Sequence, residues 1–471
     1  MFLLCFGVAC YYGEGDMLVF GVATAVVLAA SVELRHIGRQ AGGSLNRREA
    51  FFIVGSTWIV YSLFGMLPLL LSGYYPSVAS TFFEMMSGFT TSGTSILPSV
   101  EVLPHGLLFW RSLSQFVGGL GIIFFTLIIL PAGGEGNVRL FSAEMAGLMQ
   151  ERLHPRIRTT VIWIFSLYLL LAAFCAASLR LCGVGWFDSV NHAMTTIATG
   201  GFSTHDDGIR HFRSPAVEYV ICLFMYLSSI SFYVMLLTLQ RRKLKYFRQN
   251  DEVRFFTLFI LATALIVAVY LFFRSRDIEY SLRTALFNVV SLQSTTGYLT
   301  DDILLWWQPL AFFLILTPLI GGCSGSTAGG FKCIRILTVI RSSRQYFKSY
   351  LHPRRVLPIR VNGRFMDDSM NRNIFSLLFW YFIILIISTV VLSLFNINFL
   401  EALHLALGCL SNVGINGDMS HLLADSNGLT SAGEILQNPF VSTICAFLML
   451  IGRLEIIPLL LPLTAGFWRN D

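Results

Sequence analysis

Four short polar stretches carry the oxygen chemistry of this chain: Thr90-Thr91-Ser92-Gly93-Thr94, Ala198-Thr199-Gly200-Gly201-Phe202, Ser294-Thr295-Thr296-Gly297-Tyr298 and Ser411-Asn412-Val413-Gly414-Ile415. They recur at similar intervals in an otherwise apolar sequence, as if one unit had been used four times. Carbonyl and hydroxyl oxygens without fixed charge can replace the water of a monovalent cation and still release it. Glycine reaches the dihedrals that aim successive carbonyls to one side. The candidate oxygen-bearing set is therefore Thr91, Ser92 and Gly93; Thr199, Gly200 and Gly201; Thr295, Thr296 and Gly297; and Asn412, Val413 and Gly414.

Each stretch ends a moderately apolar segment (77–90, 186–199, 281–295 and 399–411) that is too short to cross a bilayer. Four re-entrant pore helices are expected, each aiming its partly negative C-terminal end at a cavity below. Irregular backbone at that depth requires a watery or protein-lined setting. Glu84, His192 and Asn288 each lie nine residues before their glycine, with Leu405 at that place in the fourth unit and His404 beside it. Polar residues so placed read first as hydrogen-bonding partners of the pore helix, and second as ion contacts.

The 471 residues are 55% hydrophobic and 13% charged, with mean hydropathy +0.67, which excludes a soluble domain. Spans are predicted near 17–33, 50–72, 106–131, 158–182, 214–238, 255–273, 305–340, 373–396 and 434–465. Met1 to Tyr12 is apolar but short, lacks a basic n-region, and reads as a partial helix paired with 17–33. Most Lys and Arg fall in 34–50, 132–158, 240–254 and 332–372, so these loops are expected to be cytoplasmic, and the net charge of +6 is no nucleic-acid signature. Arg241 to Lys245 and Arg341 to Arg364 could hold membrane lipid headgroups or a partner, although orientation alone explains them. Nine cysteines without paired or metal-ligand spacing read as core residues. No HExxH, CxxC pair or Gly-x-Ser-x-Gly is present, so nothing points to an enzyme or a cofactor.

The run Gly321, Gly322, Cys323, Ser324, Gly325, Ser326, Thr327, Ala328, Gly329, Gly330, Phe331, Lys332 interrupts an apolar stretch. It is no phosphate loop, because Phe331 separates the last glycine from Lys332 and no strand precedes it. Such glycine density breaks a helix and frees backbone groups that need partners. Arg453 lies within an apolar run and either faces a pathway or pairs with Glu455 or snorkels. His205-Asp206-Asp207 and Asp301-Asp302, on the face opposite the basic loops, could draw cations in, or could cap and face water.

The sequence resembles the Trk/Ktr/HKT superfamily of potassium transporters, most of all the TrkH branch, and the third polar stretch resembles a potassium-channel filter. The likeness covers nearly the whole chain. It rests on the four loops, on Phe109-Trp110-Arg111-Ser112-Leu113-Ser114-Gln115 leading to Gly118-Gly119-Leu120-Gly121-Ile122-Ile123, on the stretch 321–332, and on Gly452-Arg453-Leu454-Glu455-Ile456 with Phe467-Trp468. The resemblance implies an all-α polytopic membrane protein. Its four membrane-pore-membrane repeats would stand in pseudo-fourfold arrangement around one ion pathway, behind an N-terminal extra helix or helix pair. The corresponding boundaries are 1–49, 50–157 (pore loop 77–97), 158–254 (186–204), 255–372 (281–300, gate loop 321–332) and 373–471 (399–417). It also implies a homodimer in the bacterial inner membrane, a cytosolic nucleotide-binding regulatory subunit, and potassium as substrate, since relatives with serine at the place of Gly93 tend toward sodium. Gly321, Gly322, Ser324, Gly325, Ser326, Gly329, Gly330, Lys332 and Arg453 would form the gate beneath the filter. Other readings stand beside this one: a sodium-coupled or sodium-permeable transporter of the same architecture, proton- or sodium-linked symport, and a non-conducting membrane scaffold or receptor.

Overall fold

The structure, a computed structural model, describes residues 1–40, 47–132, 157–351, 359–366, 368–414 and 435–468. It is helical throughout, apart from a hairpin pairing Arg360–Val361 with Arg364–Phe365. Among the described residues, five helices have the length and hydropathy to cross a membrane: Met17–Ile37, Gly55–Ser72, Thr159–Leu181, Asp251–Ser275 and Met370–Ser393. Their outward positions are apolar, as at Leu258, Leu261 and Leu265, and all three are exposed. A soluble protein would hide such a face, whereas hydrocarbon solvates it. The protein is a multi-pass membrane protein.

Four short helices, Val78–Phe89, Trp186–Ile197, Ile278–Gln293 and Phe399–Ser411, stand inside this shell where pore helices were expected. At 12 to 16 residues and about 1.5 Å rise per residue, none can cross a core of roughly 30 Å. Ser77, Asp277 and Asn398 accept hydrogen bonds from first-turn amides and start three of them. Each pore helix packs on the long helix before it; the second and third also pack on the second helix of the preceding unit, and the fourth on the turn Thr317–Leu319 of the preceding unit. The first closes this cycle by packing on Pro439–Arg453 of the last unit.

Besides 305–340, which its glycine-rich run interrupts between Leu319 and Cys333, two predicted spans are broken. The stretch 214–238 forms Pro215–Ser228 and Phe232–Arg241, bent by 93°. The glycine-rich segment causes the break by supplying the missing partners: Cys323 N–H donates to Ser229 O (2.9 Å), and Phe232 N–H donates to Gly325 O (3.1 Å). The stretch 434–465 keeps Pro439–Arg453 and then turns sharply, with Glu455 and Ile456 at φ of 59° and 69°. At the start, Phe2–Tyr12 is an 11-residue helix packed on Met17–Ile37 and His105–Ala132. Glu14 holds it there by accepting from His105 N–H at 2.6 Å. The seven most deeply buried cysteines and the two others are all free thiols.

Candidate functional site

Every pore helix ends in the same way. Within two residues of the helix end the chain adopts a left-handed conformation, with φ of 57° at Thr91, 51° at Thr199, 59° at Thr295 and 54° at Asn412. The next amide then reaches back five residues: Ser92 to Ser87 O (2.9 Å), Gly200 to Thr195 O (2.8 Å), Thr296 to Ser291 O (2.9 Å) and Val413 to Gly408 O (2.8 Å). This is the Schellman closure, in which glycine normally sits. Placing β-branched threonine there costs about 1–3 kcal/mol per residue and is sustained only by surrounding structure. Two residues on, φ is positive again at Gly93 (82°), Gly201 (81°) and Gly297 (87°). Alternating hand along an extended strand turns successive carbonyls to one side.

The four loops meet in cyclic order. A Cβ placed on Gly93 would lie 2.0 Å from Gly200 O, one on Gly201 would lie 2.0 Å from Thr296 O, one on Gly297 would lie 2.9 Å from Gly414 O, and one on Gly414 would lie 2.8 Å from Gly93 C. First touches second, second third, third fourth, and fourth first. Ile415 and the remainder of the loop to 417 lie outside the described residues.

Side chains that sequence reasoning left without a role brace this ring. Gln115, fully buried, donates to Gly200 O (2.8 Å) and accepts from Phe202 N–H (3.1 Å). Tyr298 Oη donates to Phe202 O at 2.9 Å and lies 2.6 Å from Thr195 Oγ1, tying the third loop to the second. Buried Arg111 donates from Nε to Glu84 (2.9 Å), and its terminal nitrogens reach Ser95 Oγ (3.2 Å) and Ser203 O (3.3 Å). The charge pair is thus surrounded by further partners, the condition under which a buried pair is tolerated.

The polar residues nine before each glycine work on the outgoing limbs. Glu84 accepts from Ile96 N–H (3.0 Å), His192 Nε2 lies 3.0 Å from Ser203 Oγ, and Asn288 Oδ1 accepts from Thr300 N–H (3.1 Å). Leu405 is a buried apolar residue in the fourth unit.

Above the ring a cleft is lined by Gly93, Gly201, His205, Asp206 and Asp207 among others. Asp206 accepts from Ser99 Oγ and Val100 N–H, each at 2.6 Å. Asp301 accepts from Tyr280 Oη and Trp306 Nε1. His205 has a raised pKa: Asp188, 3.4 Å from Nε2, is the main cause, partial burial opposes it, and Glu101, 3.3 Å from Nδ1, adds to it. His211 stacks on His205 with ring centroids 3.5 Å apart.

Below the ring the helix Gln308–Leu316 runs into a tight turn and then into the irregular glycine-rich segment, which ends at Cys333. Left-handed residues punctuate it at Gly321, Gly325, Gly330 and Lys332. It presses against the ends of three pore helices: Thr327 Oγ1 donates to Ile197 O (3.0 Å), Gly329 N–H donates to Thr295 Oγ1 (2.6 Å), and Gly330 N–H donates to Ser411 O (3.0 Å). Within it, Gly322 packs on Ala328, Ser326 Oγ donates to Cys323 O, Ser324 N–H donates to Glu252, and Lys332 Nζ donates to Ala328 O.

Arg453 is buried and donates to Thr327 O (2.9 Å) and Gly118 O (3.4 Å), whereas Glu455 pairs with Arg335. Snorkelling is excluded, and the arginine bridges the glycine segment to the first unit. Gly118 and Gly452 permit this closeness, since a Cβ on either would fall 1.9–2.0 Å from Phe89 O or Leu410 O.

Residues 19–465 match the family described as TrkH, cation transport protein. The chain belongs to that family. It is 33% identical to the Trk system potassium uptake protein TrkH of Salmonella typhimurium, over 98% of this chain and 95% of that one. It is 29% identical to the Trk system potassium uptake protein TrkG of Escherichia coli, over 98% and 94%. Its fold matches the crystal structure of the potassium transporter TrkH from Vibrio parahaemolyticus with a TM-score of 0.88 at 29% identity, covering 99% of this chain and 96% of that one. This is a family of transporters rather than enzymes.

Proposed function

We propose that this protein takes up potassium across the bacterial inner membrane through one pathway enclosed by its four glycine loops. The observation that carries the reading is the cyclic contact Gly93, Gly200/Gly201, Thr296/Gly297, Gly414, Gly93. Carbonyls and hydroxyls of Thr91, Ser92, Thr199, Gly200, Thr295, Thr296, Asn412 and Val413 together with the four glycines stand in for the hydration shell, and no carboxylate there traps the ion. The bracing contacts of Gln115, Tyr298 and Arg111 hold the ring's diameter. The segment from Gly321 to Lys332, which hydrogen-bonds to three pore-helix ends, serves as the gate. Arg453 adds a positive charge beneath the filter and bolts that gate to the first unit.

The face bearing Arg241 to Lys245 and Arg341 to Arg364 is cytoplasmic and meets anionic lipid headgroups. There a cytosolic nucleotide-binding subunit regulates a homodimer with one pathway per protomer. Growth of an uptake-deficient bacterial strain on limiting potassium tests the activity. Liposomes with potassium, rubidium and sodium gradients test the pathway. No rescue together with no flux from folded protein would overturn the reading.

A further inference from the structure

One carboxylate holds the glycine-rich segment at two points, one inside it and one just past its end. Glu252, 2% exposed in the first turn of Asp251–Ser275, accepts from Ser324 N–H at 2.6 Å and from Ile334 N–H at 3.2 Å. These two amides flank the segment's C-terminal two-thirds, so a single side chain fixes its reach. The neighbouring residue, Asp251, faces the other way. It accepts from Arg341 at 2.8 Å and from Asn362 N–H at 2.9 Å, while its own N–H donates to Asn362 Oδ1 at 2.7 Å. Arg341 also donates to Arg360 O at 2.6 Å.

Asn362 and Gly363 form the tip of the small hairpin, with φ of 50° and 77°, the positive pair that a two-residue primed turn requires. The hairpin is therefore a stiff object joined by two hydrogen bonds to one residue, Asp251, with Arg341 bridging both. Asp251 is covalently next to the residue holding the glycine segment.

We propose that Glu252 is a positioning residue that latches the glycine-rich segment closed, and that the hairpin 359–366, through Asn362 and Asp251, is the handle that works the latch. Displacing the hairpin rotates the first turn of Asp251–Ser275 and withdraws the Glu252 carboxylate from Ser324 and Ile334. The two freed amides then lose their only strong acceptor among the described residues, and the segment loosens from the pore-helix ends. The inference rests on the gate reading given above and specifies how the basic face reaches that gate.

The test uses the full chain in liposomes, comparing wild type, Glu252→Gln, Asn362→Ala, the double variant and a deletion of Gly325 to Gly330. Passive rubidium efflux, the rubidium-to-sodium permeability ratio and the melting temperature in detergent are read for each. Glu252→Gln keeps the shape and weakens a charge-assisted bond, so efflux is expected to rise about tenfold, the factor given by about 1.4 kcal/mol of lost closing energy. The ion ratio stays unchanged, because no filter contact is touched. Asn362→Ala raises efflux too, and the double variant exceeds Glu252→Gln by less than the product of the single effects.

If the deletion leaks and neither substitution does, the latch is wrong and the gate stands. If the deletion fails to leak as well, the gate reading itself falls. A fall in ion ratio and melting temperature together, without added efflux, would reduce Glu252 to a structural residue and overturn the proposal. Should Glu252→Gln not fold, the surface variant Asn362→Ala decides alone: unchanged efflux refutes the handle.

Discussion

Substituting Gly93 by serine places a Cβ where the second loop's backbone already stands. It would lie 2.0 Å from Gly200 O and 3.1 Å from Gly200 C, whereas ordinary contact begins at 3.4 Å. The opposing atom is a carbonyl oxygen of the ring itself, so relief comes only by moving an oxygen the ion would use. Residue 93 must also keep φ near 82°, where a side chain costs about 1–3 kcal/mol. If the distorted ring loses that much of its preference between potassium and sodium, selectivity falls roughly 5- to 150-fold, at tenfold per 1.4 kcal/mol.

Bi-ionic flux in liposomes measures the ratio directly. Gly297 provides an internal control, since a Cβ there would meet Gly414 O only at 2.9 Å. Gly297→Ser is expected to lower the ratio less than Gly93→Ser, and Gly201→Ser to match Gly93→Ser. An unchanged ratio in Gly93→Ser protein of normal melting temperature would refute the argument that this ring sets ion choice.

Three further outcomes are expected. Gln115→Ala leaves Gly200 O and Phe202 N–H without their buried partner and should cost about 1–3 kcal/mol of stability, seen as a lower melting temperature together with weakened ion selection. Arg453→Ala should raise potassium flux by removing positive charge and the bond to Thr327 O; unchanged flux with normal folding would leave it a purely structural bolt. His205, whose raised pKa reflects Asp188 and Glu101, stabilises the outer cleft when protonated. Its contribution is full below the ordinary imidazole pKa and is lost as pH rises through the raised value. The melting-temperature gap between wild type and His205→Gln should therefore close with rising pH, and a gap independent of pH would count against the ion pairs.

Much of the site was legible because membrane burial leaves so few reasons for polar residues. Threonine, serine and glycine recurring inside apolar sequence have little to do there except bond to backbone or ion, so the four loops and the 321–332 segment stood out by composition alone. The break at Ser229 to Ser231 could not be read in this way. Its cause is Gly325 and Cys323 inserting partners from far along the chain, and local hydropathy carries no trace of that. Gln115 and Tyr298 were similarly hidden. An isolated glutamine in a span signals a buried acceptor or donor, but only the fold shows that its partners are Gly200 and Phe202. Arg453 was legible as costly, whereas its choice of two carbonyls over Glu455 depended on Arg335 having taken that carboxylate.

On the proposed function, the same physics separates the part that must stay rigid from the part that must move. Around the ring, side chains hold the backbone: Gln115, Arg111, Glu84, His192 and Asn288 each reach a loop from a helix, and Tyr298 reaches the second loop from the third. Three threonines kept in left-handed dihedrals store strain that only such over-determination sustains. The segment below has the opposite construction. Its hold on the pore helices consists of single hydrogen bonds, from Thr327, Gly329 and Gly330 and from Gln293 to Gly321 O, and its left-handed positions are mostly glycines, which carry little strain. Each such bond is worth about 0.5–1.5 kcal/mol, so a few can be exchanged at modest cost. Loosening a stretch bound in this way leaves the ring's dimensions untouched, and ion choice and gating can then be varied independently by mutation.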